Sequence, residues 1–278
     1  MIGWKSQTRF AMLCQCMGPE ATSTLYARTS DQTQPWLDPP KSLALPQGEV
    51  HVWRGIVDLP PSRLQVYQEI LSSEEQARAR RFRFPQHQTR FMTTRGMLRF
   101  LLGHYLTLAP QDIELDAGPQ GKPFVKTPGS RPLHFNVSHS QKVALFAFSH
   151  DSEVGIDVEG SKARLDHLGV GQRIMSAQEH QWLQSLPVSK QKAAFLACWT
   201  RKEAFVKALG SGLNFPMKDL TLTFLPHQSP TIVHIANPDL ASRPWAVFPI
   251  YPRVRYAAAL VVAGTPHTVK FWNFDGWK

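Results

Sequence analysis

The stretch Val143-Ala144-Leu145-Phe146-Ala147-Phe148, then His150-Asp151-Ser152-Glu153, then Val154-Gly155-Ile156-Asp157-Val158-Glu159 sets the frame for the rest of the chain. The first six residues are a continuous apolar run of strand length, the pattern of a strand buried on both faces. The polar tetrapeptide turns the chain back into the next strand. Side chains alternate along a strand, so Val154, Ile156 and Val158 share one face and Asp157 and Glu159 the other. The apolar face enters a core while the two carboxylates project together. Adjacent carboxylates repel unless a proton or a cation relieves them, and an oxygen-coordinated divalent cation meets that need. Taken alone, the motif reads equally as a solvated strand face.

Working outward, a strand is expected over residues 50–57. Ser72 and Glu75 stand at capping-box spacing and open a helix over residues 74–84 that carries Arg78, Arg80, Arg81 and Arg83. A second helix is expected over residues 88–106, where Phe91, Leu98, Leu101, Leu102 and Tyr105 recur at helical steps. A loop at residues 118–123 and a strand at 134–137 complete this half. Beyond the central strand, Ile174-Met175-Ser176-Ala177-Gln178-Glu179 echoes Ile70-Leu71-Ser72-Ser73-Glu74-Glu75. Ser176 and Glu179 again make a capping box. A long helix over residues 190–209 ends at Gly210, a residue suited to a left-handed cap. Strands follow at 231–236, 245–250 and 255–262. The fold class is therefore α+β, with two similar halves, residues 47–160 and 161–278, joined near residue 160. Residues 1–46 precede them. They hold Pro35, Pro39, Pro40 and Pro46, many Ser and Thr, and no period, and read as a disordered or poorly packed extension. An organelle-targeting segment is the alternative reading; a secretory signal is not, because Trp4-Lys5-Ser6-Gln7-Thr8-Arg9 interrupts any apolar core.

Composition narrows the class. Of 278 residues, 42% are hydrophobic and 19% charged, as expected of a soluble globular chain. No window offers the roughly 18 apolar residues that a membrane helix needs. Three cysteines, two of them Cys14 and Cys16, make no disulfide framework, so a reducing, cytoplasmic setting is expected. The net charge of +10 favours a polyanionic partner: nucleic acid, a phosphate-bearing cofactor or an acidic protein.

Four further motifs carry chemistry. In Trp199-Thr200-Arg201-Lys202-Glu203-Ala204-Phe205-Val206-Lys207, the residues Trp199, Glu203 and Lys207 line one helix face. They read as an ordinary surface pair, or as a third carboxylate joining Asp157 and Glu159 with Lys207 facing an anion. In Phe135-Asn136-Val137-Ser138-His139-Ser140, Ser138 and His139 are adjacent on a strand and point to opposite faces, so they cannot pair as nucleophile and base. A phosphate-binding role suits them better, against a plain strand ending in a polar turn. Gly118-Pro119-Gln120-Gly121-Lys122-Pro123 is not a P-loop, since Pro123 stands where Ser or Thr should follow the lysine; it is a turn that presents Lys122. Among Arg78, Arg80, Arg81, Arg83, Arg90, Arg95 and Arg99, two or three suffice to clasp phosphates and the rest are solvated surface.

In this order and spacing, Gly121–Pro123, Phe135–Ser140, Gly155–Glu159 and Trp199–Lys207 make the chain resemble the Sfp-type 4'-phosphopantetheinyl transferases over about residues 50–265. The resemblance implies a monomer of two similar α/β halves, a pseudo-twofold duplication, with coenzyme A in the cleft between them. It implies that Asp157, Glu159 and Glu203 hold Mg2+, or Mn2+, against the pyrophosphate of the co-substrate coenzyme A. Lys207, His139 and Ser138 would contact phosphates, while Lys122, Arg78 and Arg90 match positions at the adenosine 3'-phosphate end. Phe91 and Glu75 depart from the family pattern there, replacing a polar residue and a lysine. The partner implied is an acidic apo acyl or peptidyl carrier protein, with no nucleic acid and no membrane.

The chemistry agrees with that resemblance. Cleaving a phosphoanhydride builds charge on phosphate oxygens, which cations must stabilise. The acceptor serine loses a proton, for which Glu203 or a metal-bound water is the expected base and His139 the rival. Two other classes remain open: a basic nucleic-acid-binding protein that uses the arginine-rich helix, and a non-catalytic carrier-protein binder. Nucleic-acid binding gives no reason for the 155–159 carboxylates, and a non-catalytic binder gives none for an intact carboxylate set.

Overall fold

The computed structural model describes residues 35–40, 43–126, 131–161, 166–212, 215–266 and 268–275. The first repeat opens with strand β1 (Glu49–Ile56), followed by helices α1 (Pro61–Ile70), α2 (Ser73–Arg80) and α3 (Pro85–Leu106). The short hairpin β2 (Leu115–Ala117) and β3 (Pro123–Val125) then leads to β4 (His134–Ser140) and β5 (Val143–Ser149). The second repeat has the same order: β6 (Val154–Gly160), α4 (His167–Ile174), α5 (Ala177–Gln184), α6 (Val188–Leu209), the hairpin β7 (Leu220–Leu222) and β8 (Ile232–Ile235), the single turn α7 (Pro238–Ala241), then β9 (Trp245–Ile250) and β10 (Tyr256–Ala263). A last strand, β11 (Thr268–Phe274), follows.

The sheets repeat as well. The order β1-β5-β4 in the first matches β6-β10-β9 in the second, all antiparallel, and β11 adds to the first sheet parallel to β1. The seam between the sheets falls before β6, whereas residue 160 was the expected junction. The turn at residues 150–153 does reverse the chain, but β6 does not pair with β5. Both edges of β5 are already taken, by β1 and β4, so β6 has no ladder to join there and pairs with β10 instead.

The two sheets bury their inner faces against each other. Val50, Val52, Val143, Leu145 and Ala147 of the first meet Val154, Ile156, Val158, Leu260 and Val262 of the second. The outer face of the first sheet packs on α3 through Trp53, Phe146, Phe148, Met97, Leu98 and Leu101. That of the second packs on α6 through Phe205, Ala208, Ala259 and Val261. All seven residues of β5 are buried, as its apolar run requires.

The same polar device pins each long helix. Ser72 and Ser176 each accept a hydrogen bond from the backbone of the glutamate three residues on, and the Glu75 and Glu179 carboxylates each accept one from the serine's own N–H. These glutamates then turn inward. Glu75 meets the buried Arg99 at 2.6 Å, and Glu179 meets the fully buried Lys202 at 2.7 Å. Arg99 donates onward to the carbonyls of Pro110 and Ile113, and Lys202 to those of Met217 and Leu220. Each cation therefore fastens a 22-residue helix to the short 3-10 turn that follows it.

Most of the expected extension, residues 1–46, lies outside the described residues. Its last part packs on the body. Leu37 donates to the carbonyl of Phe271 and accepts from the N–H of Asn273, which covers the free edge of β11. The Trp36 indole donates to the carbonyl of Tyr251, and the Arg54 guanidinium lies over its ring. An open strand edge presents unpaired amides, and this segment satisfies some of them.

Candidate active site

Gly155 lets α6 come close to β6. A Cβ there would collide with the carbonyl of Ala204 and the amide of Ala208, so α6 can lie against β6 only because residue 155 has no side chain. This approach sets Glu203 and Lys207 beside Asp157. The Lys207 ammonium donates to Asp157 Oδ1 at 2.6 Å, to Ser138 Oγ at 3.1 Å and to the Ile156 carbonyl at 3.3 Å. Asp157 is 5% exposed, and its Oδ2 is buried without a hydrogen-bond partner among the described residues. Burial raises the Glu203 carboxyl above its usual range, and the negative charges of Asp157 and Glu159 raise it further, against the pull of Lys207. A carboxyl whose proton affinity is raised by two neighbouring carboxylates can be served by a cation instead.

The first sheet contributes β4. Ser138 donates to Asp157 Oδ1 at 2.9 Å, and Ser140 to Glu159 Oε2 at 2.9 Å. His139 points the other way, as strand alternation demands, and its ring is exposed. Its pKa is lowered by partial desolvation, then by the positive charges of Lys207, Arg90 and His87. His139 is therefore neutral at pH 7 and free to accept a proton or donate a single hydrogen bond. Arg90 and His87 lie in the first turns of α3, where the helix dipole also favours an anion.

The structure thus gathers Asp157, Glu159, Glu203, Lys207, Ser138, His139 and Arg90 from both repeats. Lys122 and Arg78 are engaged elsewhere. Lys122 binds Glu153 at 2.5 Å and the Ala208 carbonyl at the end of α6 at 2.9 Å. Arg78 stacks over Phe91 at 5.3 Å. Glu75, a departure from the family pattern, is used by the fold, in its capping box and its contact with Arg99. Sequence reasoning missed His87, Asn136 and Ser140. The alternation of Asn136, Ser138 and Ser140 on one strand face was the available signal.

Hard oxygen donors and an unpartnered buried carboxylate oxygen suit a hard divalent cation. Among the described residues, however, no three Asp, Glu, His or Cys side chains form a closed ligand cluster. Lys207 supplies the positive charge beside Asp157.

The 4'-phosphopantetheinyl transferase superfamily model matches residues 153–261, and the model of the N-terminal part of 4'-phosphopantetheinyl transferases matches residues 60–151. The two matches meet at the seam between β5 and β6. The chain is 36% identical over 243 residues to 4'-phosphopantetheinyl transferase HetI of Nostoc sp., covering 86% of this chain and 98% of that protein. It is 31% identical to 4'-phosphopantetheinyl transferase psf-1 of Bacillus pumilus, covering 64% and 79%. It is 29% identical to 4'-phosphopantetheinyl transferase Sfp of Bacillus subtilis, covering 56% and 67%. With near-complete coverage of the first of these relatives, and with the carboxylate, serine and lysine residues meeting across the two repeats, the chain belongs to the 4'-phosphopantetheinyl transferase family.

Proposed function

We propose that this protein transfers the 4'-phosphopantetheine group of coenzyme A to a serine of an apo acyl or peptidyl carrier protein, releasing adenosine 3',5'-bisphosphate. The observation that carries this reading is the meeting of Asp157, Glu203 and Lys207, with His139 within reach of the Lys207 charge. The carrier serine oxygen attacks the phosphorus on the pantetheine side of the pyrophosphate, and the bond to the bridging oxygen breaks. Glu203 takes the serine proton. Neutral His139 is the rival base. Lys207 and His139 face the phosphates where negative charge builds. Ser138 acts there through Lys207, whose ammonium it accepts.

Asp157, Glu159 and Glu203 would hold Mg2+, or Mn2+, which supplies charge neutralisation at the pyrophosphate when bound. Arg90 belongs to the adenosine 3'-phosphate end, together with Arg78 and Lys122. Using the latter two requires them to leave Phe91 and Glu153. The net charge of +10 suits an acidic carrier protein. The enzyme acts as a cytoplasmic monomer, and no helix among the described residues is long and apolar enough to cross a membrane. Intact mass measurement of an apo carrier protein incubated with the enzyme, coenzyme A and Mg2+ tests the reading. A gain of one phosphopantetheine is expected, and an unchanged carrier mass with several apo carriers overturns it.

A further inference from the structure

β6 pairs with β10 along one edge only, so its other edge must be satisfied by something besides a strand. The groups that do so are side chains. Asn136 Oδ1 accepts from the N–H of Ile156 at 2.9 Å, Ser138 Oγ from that of Val158 at 3.3 Å, and Ser140 Oγ from that of Gly160 at 3.1 Å. Lys207 and Lys122 donate to the carbonyls of Ile156 and Val154 along the same edge. One face of β4 therefore stands in for a missing strand, with three alternate residues each taking one amide of β6.

This ladder also aims the carboxylates. A hydroxyl has one proton and two acceptor sites. Because Ser140 accepts from Gly160, its proton is directed away from that amide, and it goes to Glu159 Oε2 at 2.9 Å. Glu159 is thereby tied through one serine to the backbone of its own strand. Ser138 does the same for Asp157, but it also receives Lys207. Ser140 is the member of the ladder for which the tie to a carboxylate is separate from the phosphate-binding lysine. It is 8% exposed, well placed to hold one rotamer of its partner.

We infer that Ser140 is a positioning residue that orients the Glu159 carboxylate toward the divalent cation. This inference rests on the metal reading above. Groups that orient metal ligands commonly contribute ten- to a hundredfold in metal affinity.

The test is Mn2+ binding in the presence of coenzyme A, followed by electron paramagnetic resonance, on wild type, S140A, S140T, E159A and S140A/E159A. We expect S140A to weaken Mn2+ binding roughly tenfold or more and S140T, which keeps the hydroxyl, to restore it. S140A should add no further loss in the E159A background, because its effect passes through Glu159. An unchanged affinity in S140A, or an equal loss with and without Glu159, overturns the inference and leaves the metal reading standing. Unchanged Mn2+ binding in E159A overturns the metal reading, and the inference with it. Should S140A not fold, S140C keeps the size with a thiol that is a weak donor and acceptor, and carries the same readout.

Discussion

The Lys207 ammonium rests 2.6 Å from Oδ1 of Asp157, so the proposed phosphate-binding cation and a proposed metal ligand neutralise each other. Binding coenzyme A would give Lys207 a second anion to serve and would free an oxygen of Asp157. The two side chains, with Glu203 beside them, should therefore fail in different ways when altered.

Asp157→Ala should abolish most transfer while leaving a folded protein, and Lys207→Ala should mainly raise the Michaelis constant for coenzyme A. Glu203→Gln should lower kcat far more than it raises that constant, because shape is kept while charge and base are lost. Steady-state kinetics with mass-detected carrier protein separate these outcomes. Wild-type constants in both helix variants would return Trp199–Lys207 to an ordinary amphipathic surface.

Lys202→Met should destabilise the fold without touching the site. Lys202 and Glu179 are both fully buried, and removing the cation leaves an unpaired buried carboxylate. Breaking such a pair costs about 3–5 kcal/mol, which for a domain of this size is on the order of ten degrees in Tm. Thermal melts measure the loss. The Michaelis constant for coenzyme A, measured well below the melt, should stay within about twofold, as expected of a site that shares no partner with this pair.

His51 should make stability depend on pH in the mildly acid range. It is 1% exposed, and burial lowers its pKa to about 4 against the pull of Glu49. Its 3.2 Å contact with Glu49 is therefore a hydrogen bond of a neutral ring at pH 7, and its other nitrogen meets the Tyr105 hydroxyl. The unfolded chain takes up a proton at this residue near pH 6.5, and the folded chain only near pH 4. Stability from this residue is complete above pH 6.5 and falls as the pH drops toward 4, by up to about 3 kcal/mol. Tm measured from pH 7.5 to 4 should fall less steeply in His51→Gln than in wild type. Parallel slopes would place the acid sensitivity elsewhere.

A chain that begins at residue 47 should melt lower than one that begins at residue 35. The longer form keeps Leu37 on the edge of β11 and Trp36 against Arg54. Losing these contacts should cost roughly 1–3 kcal/mol and expose a strand edge, so the shorter form should also aggregate sooner on heating. Equal melting temperatures would show that the segment adds nothing to the fold.

What the sequence alone determined was local. Periodicity marked β1, β5, β6 and both long helices, because alternation and helical spacing depend only on near neighbours. The two capping boxes were legible for the same reason. Alternation in 154–159 also put Asp157 and Glu159 on one face, as the structure has them. Contacts distant in sequence had no such signature. Nothing local says that β11 returns to lie beside β1, that Leu37 covers it, or that β6 leaves β5 for β10. Those pairings depend on which strand edges remain free once the rest has assembled. The inward turn of Glu75 and Glu179 onto Arg99 and Lys202 was equally hidden, since a charged helix residue reads as surface until the fold buries it. Tertiary structure likewise decided the use of Lys122 by Glu153, and the ladder by which Asn136, Ser138 and Ser140 hold β6. A side chain can replace a strand only where two sheets bring an unpaired edge and a polar face within hydrogen-bonding reach.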